Sequence, residues 1–221
     1  MDGDTNPRVR RTAPKEVRRQ QLIDATIAAI AELGVSRATM AEITGRAGLS
    51  MGIVNLHFEN KDNLLKSTLL HLADELRGNW LRFQEDESLG PAEKLWGIVG
   101  ANFDESIATR EKVRAWFAFF GEARYRAFYR EMVSNFDDER TTVVEDLLWQ
   151  LREESGSRVG FDPAGLSLSI EAIADGLWLS IMLYPDAVTL SKSRRRLWEL
   201  LSTYFPDHYP LNAEASMSAI Q

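Results

Sequence analysis

Thr39-Met-Ala-Glu-Ile-Thr-Gly-Arg-Ala-Gly-Leu-Ser50-Met-Gly-Ile-Val-Asn-Leu-His57-Phe-Glu-Asn-Lys61-Asp62 decides the fold. Thr39 followed three residues later by Glu42 has the form of a capping box, which opens a short helix. Met40, Ile43 and Ala47 fall at i, i+3 and i+7 and give that helix one buried stripe. Gly48 can take the left-handed conformation that ends a helix and turns the chain. Ser50 is placed to cap a second short helix. Two capped helices joined by a tight glycine turn form a helix-turn-helix, whose second helix suits the DNA major groove. Gly52 would let the backbone approach DNA closely, and Asn55 can bond base edges or phosphates. The same spacing also fits a helical hairpin in an ordinary all-α protein.

The flanks favour DNA. A preceding helix carries Leu22, Ile23, Thr26, Ile27, Ile30 and Leu33 on one face and stops at Gly34. Ahead of it Arg8, Arg10, Arg11, Lys15, Arg18 and Arg19 face a single acid, Glu16. A cationic, proline-marked stretch suits phosphate or minor-groove contact, and a solvated tail would look the same. Residues 1–62 hold nine Lys+Arg against eight Asp+Glu, whereas the whole chain has net charge −7. The acidic excess therefore lies in the body, so one end alone is suited to nucleic acid.

The run from Arg18 to Leu65 resembles the N-terminal domain of the TetR family of one-component regulators. The residues that carry the likeness are Gln21-Leu-Ile-Asp-Ala25, Gly34, Thr39-Met-Ala-Glu-Ile43, Arg46-Ala-Gly48, Ser50-Met-Gly52, His57-Phe58 and Lys61-Asp-Asn-Leu-Leu65. That family often has tyrosine just ahead of the His-Phe pair, where this chain has Asn55-Leu56. The expected DNA face is Thr39, Ser50, Met51, Gly52, Asn55, His57 and Lys61, with Lys61 meeting phosphate as the resemblance implies.

The remainder reads as helices. Asn60 caps a long one from Lys61 to about Gln84. Gly90-Pro91 starts another, with Leu95, Ile98, Val99, Phe103 and Ile107 as its stripe. Further helices are expected over about 110–121, 124–155, 163–184 and 189–205. Breaks are expected at Ser155-Gly-Ser157, at the cap Asp162-Pro163 and at Tyr184-Pro185-Asp186. The expectation is an all-α chain with a flexible basic arm at 1–14, a three-helix helix-turn-helix DNA-binding domain at 15–62, a helical ligand-binding and dimerisation domain at 63–206 and a tail at 207–221.

The absence of cysteine removes disulfide and thiol chemistry. His57, His71 and His208 show no metal-ligand spacing, and no phosphate loop, dinucleotide fingerprint or nucleophile elbow occurs. Acid pairs such as Asp137-Asp138 read as solvated helix faces. No cofactor, metal or catalytic residue is expected. The apolar stretch from Pro163 to Leu183 is interrupted by Glu171 and Asp175 and is not expected to span a membrane. A cytoplasmic location is expected.

Trp116, Phe117, Phe119 and Phe120, followed by Tyr125, Phe128 and Tyr129, concentrate aromatic rings. Such rings serve equally as core and as a box for a cationic ligand. Gly100-Ala-Asn-Phe-Asp-Glu105, Lys112-Val-Arg-Ala-Trp-Phe-Ala-Phe-Phe120 and Asp175-Gly-Leu-Trp-Leu179 are similar to segments of choline-responsive repressors within the TetR family. That similarity implies a homodimer released from a double-stranded DNA operator by choline or a related quaternary ammonium. The expected ligand site is Phe103, Asp104, Trp116, Phe119, Phe120 and Trp178, with Asp104 or Asp175 balancing the charge. A polyamine or apolar metabolite is the alternative effector, and a helical enzyme or carrier the alternative class. The resemblance implies that the helices at about 163–184 and 189–205 pack against their symmetry mates as a four-helix bundle; Ile170, Ile173, Leu177 and Ile181 form a stripe that could meet a second copy or equally be intrachain core.

Overall fold

The computed structural model describes residues 14–155 and 160–211, which form ten α-helices. Arg8, Arg10 and Arg11, Gly156 and Ser157 of the expected break and the end of the expected tail lie outside the described residues. The head comprises α1 (Lys15–Leu33), α2 (Met40–Ala47) and α3 (Met51–Phe58). Lys15, Arg18 and Arg19 therefore belong to a helix, and the Arg19 guanidinium stacks over the Phe58 ring at 5.3 Å. Leu22, Ile23, Ile27, Ala38, Ile43, Val54 and Phe58 are buried and make the head's core.

Thr39 caps α2, its Oγ1 accepting from the Glu42 amide at 3.2 Å. The reciprocal half of the expected capping box is replaced. The Thr39 amide donates to the Arg37 carbonyl, and Glu42 instead accepts from Arg46, which also bridges to Glu32 on α1. Gly48 ends α2 at φ 63°, ψ 30°, a left-handed conformation that disfavours side chains. Ser50 stands at the N-cap of α3, but its hydroxyl makes no cap hydrogen bond.

Asn60 starts α4 (Lys61–Glu85), its Oδ1 accepting from the Asn63 amide at 2.9 Å. At 1.5 Å per residue this helix is about 37 Å long. It runs unbroken through the expected boundary at 62/63, so head and body share one rigid element. Around it stand α5 (Pro91–Gly100), α6 (Arg110–Gly121), α7 (Ala123–Met132), α8 (Ser134–Ser155), α9 (Pro163–Leu183) and α10 (Leu190–Tyr204). Gly97 lets α5 close on α4: a Cβ there would sit 2.4 Å from Cδ1 of Phe83.

Three expectations fail locally. The helix expected over 124–155 is two, because the chain breaks at Val133 (φ −124°, ψ −20°). Burial of Val133 accompanies the break, and Tyr129 and Asp137 are joined across it by a 2.6 Å hydrogen bond. The stripe from Leu95 to Ile107 is not one helix. α5 gives way to a 3-10 turn at Ala101–Phe103, and Asp104 then accepts from the Ser106 amide and hydroxyl. The expected tail is packed as far as Tyr209, whose hydroxyl donates to the Ala92 carbonyl at 2.7 Å.

α9 is long and apolar enough to cross a membrane by length and composition, with mean hydropathy 1.5. It packs instead against α6, α8 and α10. That packing divides the expected partner stripe. Ile170 and Ile181 are buried inside this chain, Leu177 is half-buried, and Ile173 stays exposed. The outward face presents Leu168, Leu179 and Leu183, with Tyr184 beyond the helix end.

Candidate functional site

The first candidate surface is the outer face of α3. Met51, Gly52, Asn55 and Leu56 are exposed at i, i+1, i+4 and i+5, while Val54 and Phe58 are buried on the opposite face. Ser50 is exposed at the start of this stripe and Thr39 at the start of α2. His57 is half-buried, and its Nδ1 is enclosed without a hydrogen-bond partner among the described residues. Lys61 is half-buried too and donates to the Val35 carbonyl at 3.3 Å. Burial, and then the nearby Arg124 cation, hold its ammonium below the usual lysine pKa. Leu56, 71 % exposed, was noted in the sequence as a departure from the family's tyrosine and was not placed on the expected DNA face. Its position four residues after Gly52 was the available signal.

The second candidate is a cavity of about 370 Å³ in the body. Trp116 and Phe120 lie one turn apart on α6 and reach its wall together. Tyr129 from α7 closes on both, with ring centroids 5.8 Å from Trp116 and 5.1 Å from Phe120. Trp178 of α9 stands 6.5 Å from Trp116 and is held by its Nε1–H donating to the Asn102 carbonyl at 2.8 Å. Asp137, Glu171 and Asp175 add carboxylates, and Arg140 a guanidinium. Arg140 donates to Asn102 Oδ1 at 2.6 Å and to the Glu171 carboxylate. Tyr129 donates its hydroxyl proton to Asp137.

Burial raises the Glu171 carboxyl above the ordinary glutamate pKa; Arg140 opposes this, while Asp175 and Asp137 add to it. Partial burial likewise raises Asp175, with Arg140 opposing and Asp137 adding. The cavity is thus an aromatic wall facing more negative charge than positive, which suits an organic cation.

The expected ligand residues divide into two groups. Trp116, Phe120 and Trp178 line the cavity. Phe103 is in the core, and Asp104 is turned toward Ser106 and Arg82, 3.5 Å away. Phe119 is fully buried on another side of α6, where it meets Tyr125 at 5.3 Å. Asp137, expected on a solvated face, is drawn to the cavity by Tyr129. Arg140 and Glu171 were not foreseen. Glu171, Asp175 and Trp178 repeat at i, i+4 and i+7, so one face of α9 carries them all.

The same helices touch the head. α1 packs along α6. Ser36 donates to Glu122 at 3.0 Å, and Tyr125, edge-to-face with Phe119, donates to Asp62 of α4 at 3.2 Å. Arg124 donates in turn to the Tyr125 hydroxyl at 2.7 Å. The α6 wall of the cavity is therefore one packing layer from the start of α4.

Two family models match the chain. Residues 22–68 match the model for bacterial regulatory proteins of the tetR family, and residues 91–206 match the C-terminal model for BetI-type transcriptional repressors. The chain belongs to the TetR family, with a BetI-type C-terminal domain. The HTH-type transcriptional regulator BetI of Klebsiella pneumoniae strain 342 is 35 % identical over 201 residues, covering 88 % of this chain and 95 % of its own. BetI of Escherichia coli K12 is 32 % identical over 198 residues, covering 89 % and 96 %. These relatives are regulators and not enzymes, which removes the enzyme alternative. A solved structure from Saccharomonospora viridis in complex with choline has a TM-score of 0.67 at 16 % identity, over 85 % of this chain and 96 % of that one. One from Pseudomonas aeruginosa PAO1 has a TM-score of 0.69 at 26 % identity, over 89 % and 95 %. Both share the fold. As a BetI-type repressor the chain is a transcriptional regulator, and its family implies DNA binding.

Proposed function

We propose that this BetI-type repressor binds a two-fold symmetric operator as a homodimer and leaves it when a small organic cation enters the cavity. The juxtaposition of the Trp116, Phe120 and Tyr129 rings with the Asp137, Glu171 and Asp175 carboxylates carries this reading. Choline is the first candidate, supported by the BetI relatives and by the choline complex of a protein with the same fold. The domain division of the sequence, a head to residue 62 and a sensor to residue 206, fits this division of labour.

The C-terminal end of α9, with Leu179 and Leu183 exposed beyond the cavity mouth, supports pairing of two bodies. Two-fold pairing would space the two α3 helices for two half-sites. A cation releases DNA only by binding one arrangement of the heads better than the other. The contacts from α6 and α7 to Ser36 and Asp62 supply the link. Gel-filtration and operator-binding assays with choline test the reading: choline must lower operator affinity of a dimer.

On the DNA side, Asn55 reads bases while Lys61 is a phosphate-facing cation steadied by Val35. Lys61→Ala will weaken binding about equally across sequences and reduce the salt slope by about one. Asn55→Ala will change which base pairs are preferred. Leu56 adds an apolar contact suited to thymine methyl groups. Fluorescence anisotropy on a panel of duplexes at several salt concentrations checks all three.

Cation affinity will also depend on pH. Glu171 and Asp175 have raised pKa values in the free cavity, and a bound cation favours their ionised forms. Binding therefore expels protons. Affinity is greatest well above both raised values and falls as the pH drops through them, beginning above the ordinary carboxylate pKa of about 4. Calorimetry between pH 5 and pH 8 in buffers of different ionisation heat will register this proton release.

A further inference from the structure

We infer that this cavity accepts a single ammonium such as choline but prefers an effector with two cationic centres joined by a spacer. The inference rests on the cavity being an organic-cation site and refines that reading. Charge balance comes first. Three carboxylates, Asp137, Glu171 and Asp175, face one guanidinium, Arg140, so the wall carries an excess of two negative charges. Arg140 is already engaged by Glu171 and Asn102. Asp137 and Asp175 are left for a ligand.

Those two carboxylates occupy different stations. Asp137 is half-buried beside Tyr129, within the aromatic wall. Asp175 is exposed at the rim. Asp137 stands on α8 and Asp175 on α9, so the two carboxylates enter the cavity from different helices.

Size gives an independent argument. The lining of α9 runs from Leu168 to Trp178, about 15 Å at 1.5 Å per residue. Choline has seven heavy atoms. At about 30 Å³ each, as in liquid water, they would occupy only about 210 Å³. The cavity of about 370 Å³ has room for a longer molecule. One cationic head sits against Trp116, Phe120 and Tyr129 beside Asp137, and the spacer lies along α9. The second head meets Asp175, where solvent lowers the cost of its desolvation.

Calorimetry on the full-length chain with tetramethylammonium, choline, hexamethonium and spermidine tests this, with operator release as a second readout. At least one dication should bind ten times more tightly than either monocation and release the operator at correspondingly lower concentration. Asp175→Asn should cost that dication about tenfold and the monocations threefold or less. Circular dichroism of the Asp175→Asn protein against the parent separates a loss of affinity from a loss of fold. Equal affinities, tighter binding of choline, or a dication advantage untouched by Asp175→Asn would overturn the inference while leaving a cation sensor. Binding of none of the four would remove the cation reading itself.

Discussion

A Trp116→Leu protein will stay on its operator at cation concentrations that release the parent. Trp116 is 4 % exposed and central to the cage, with Phe120, Tyr129 and Trp178 rings 5.4, 5.8 and 6.5 Å away. A desolvated cation over an indole gains about 2 kcal/mol, so its loss shifts the release midpoint by roughly 30-fold. Leucine is the better probe because truncation of a core tryptophan to alanine costs about 3–5 kcal/mol and would confuse deafness with unfolding. Operator affinity without cation should stay within about twofold, since Trp116 lies on α6 and the recognition stripe on α3. Anisotropy of a labelled operator titrated with choline reads both numbers. An unchanged midpoint would mean that the ring only fills the core.

Arg140→Met will be strongly destabilising. Arg140 is 8 % exposed and ties α8 to Glu171 of α9 and to Asn102 beyond α5. Removing one partner of a buried pair costs about 3–5 kcal/mol because the other charge is stranded. Glu171 keeps a side-chain exposure of 20 %, which favours the lower end of that range. The deficit will depend on pH in a defined direction. Without Arg140 the folded-state pKa of Glu171 rises further above its unfolded value. An acid raised in this way destabilises the fold at high pH, and the penalty disappears as pH falls to the ordinary glutamate value. Urea denaturation at pH 5 and pH 8 will show the difference. Arg140→Met with Glu171→Leu should recover most of the loss, because no charge is then stranded.

What could be read in the sequence was what local chemistry determines. Thr39, Gly48, Asn60, Gly90-Pro91 and Asp162-Pro163 mark helix ends through bonds made within a few residues, and the helices begin or end there. Val133 carries no such mark. Its break comes with tertiary burial, so no glycine or proline announces it. Tyr209 is similar: only its packing against α5 and α10 shows that residues 207–210 belong to the body.

The cavity was legible in its rings and in Asp175, and not in its other charges. Trp116 and Phe120 share a face by helical period, whereas Phe119, between them in the run, points to Tyr125. Choosing among the rings needed the phase of α6 against α1 and α9. Asp104 looked suitable beside Phe103, but the 3-10 turn redirects it to Ser106. Asp137, Arg140 and Glu171 meet only because α8 packs on α9, a contact between residues some thirty positions apart.

The most direct measurement is operator release by a cation against its uncharged isostere. A duplex selected from a random pool by the full-length chain is labelled and titrated with choline, with a bis-quaternary ammonium, and with 3,3-dimethylbutan-1-ol, which keeps choline's shape without its charge. A sensor built from aromatic faces and carboxylates predicts a two-fold symmetric duplex that at least one cation releases and that the neutral alcohol leaves bound. Release by the alcohol as readily as by the cations, or by none of the three, would contradict it.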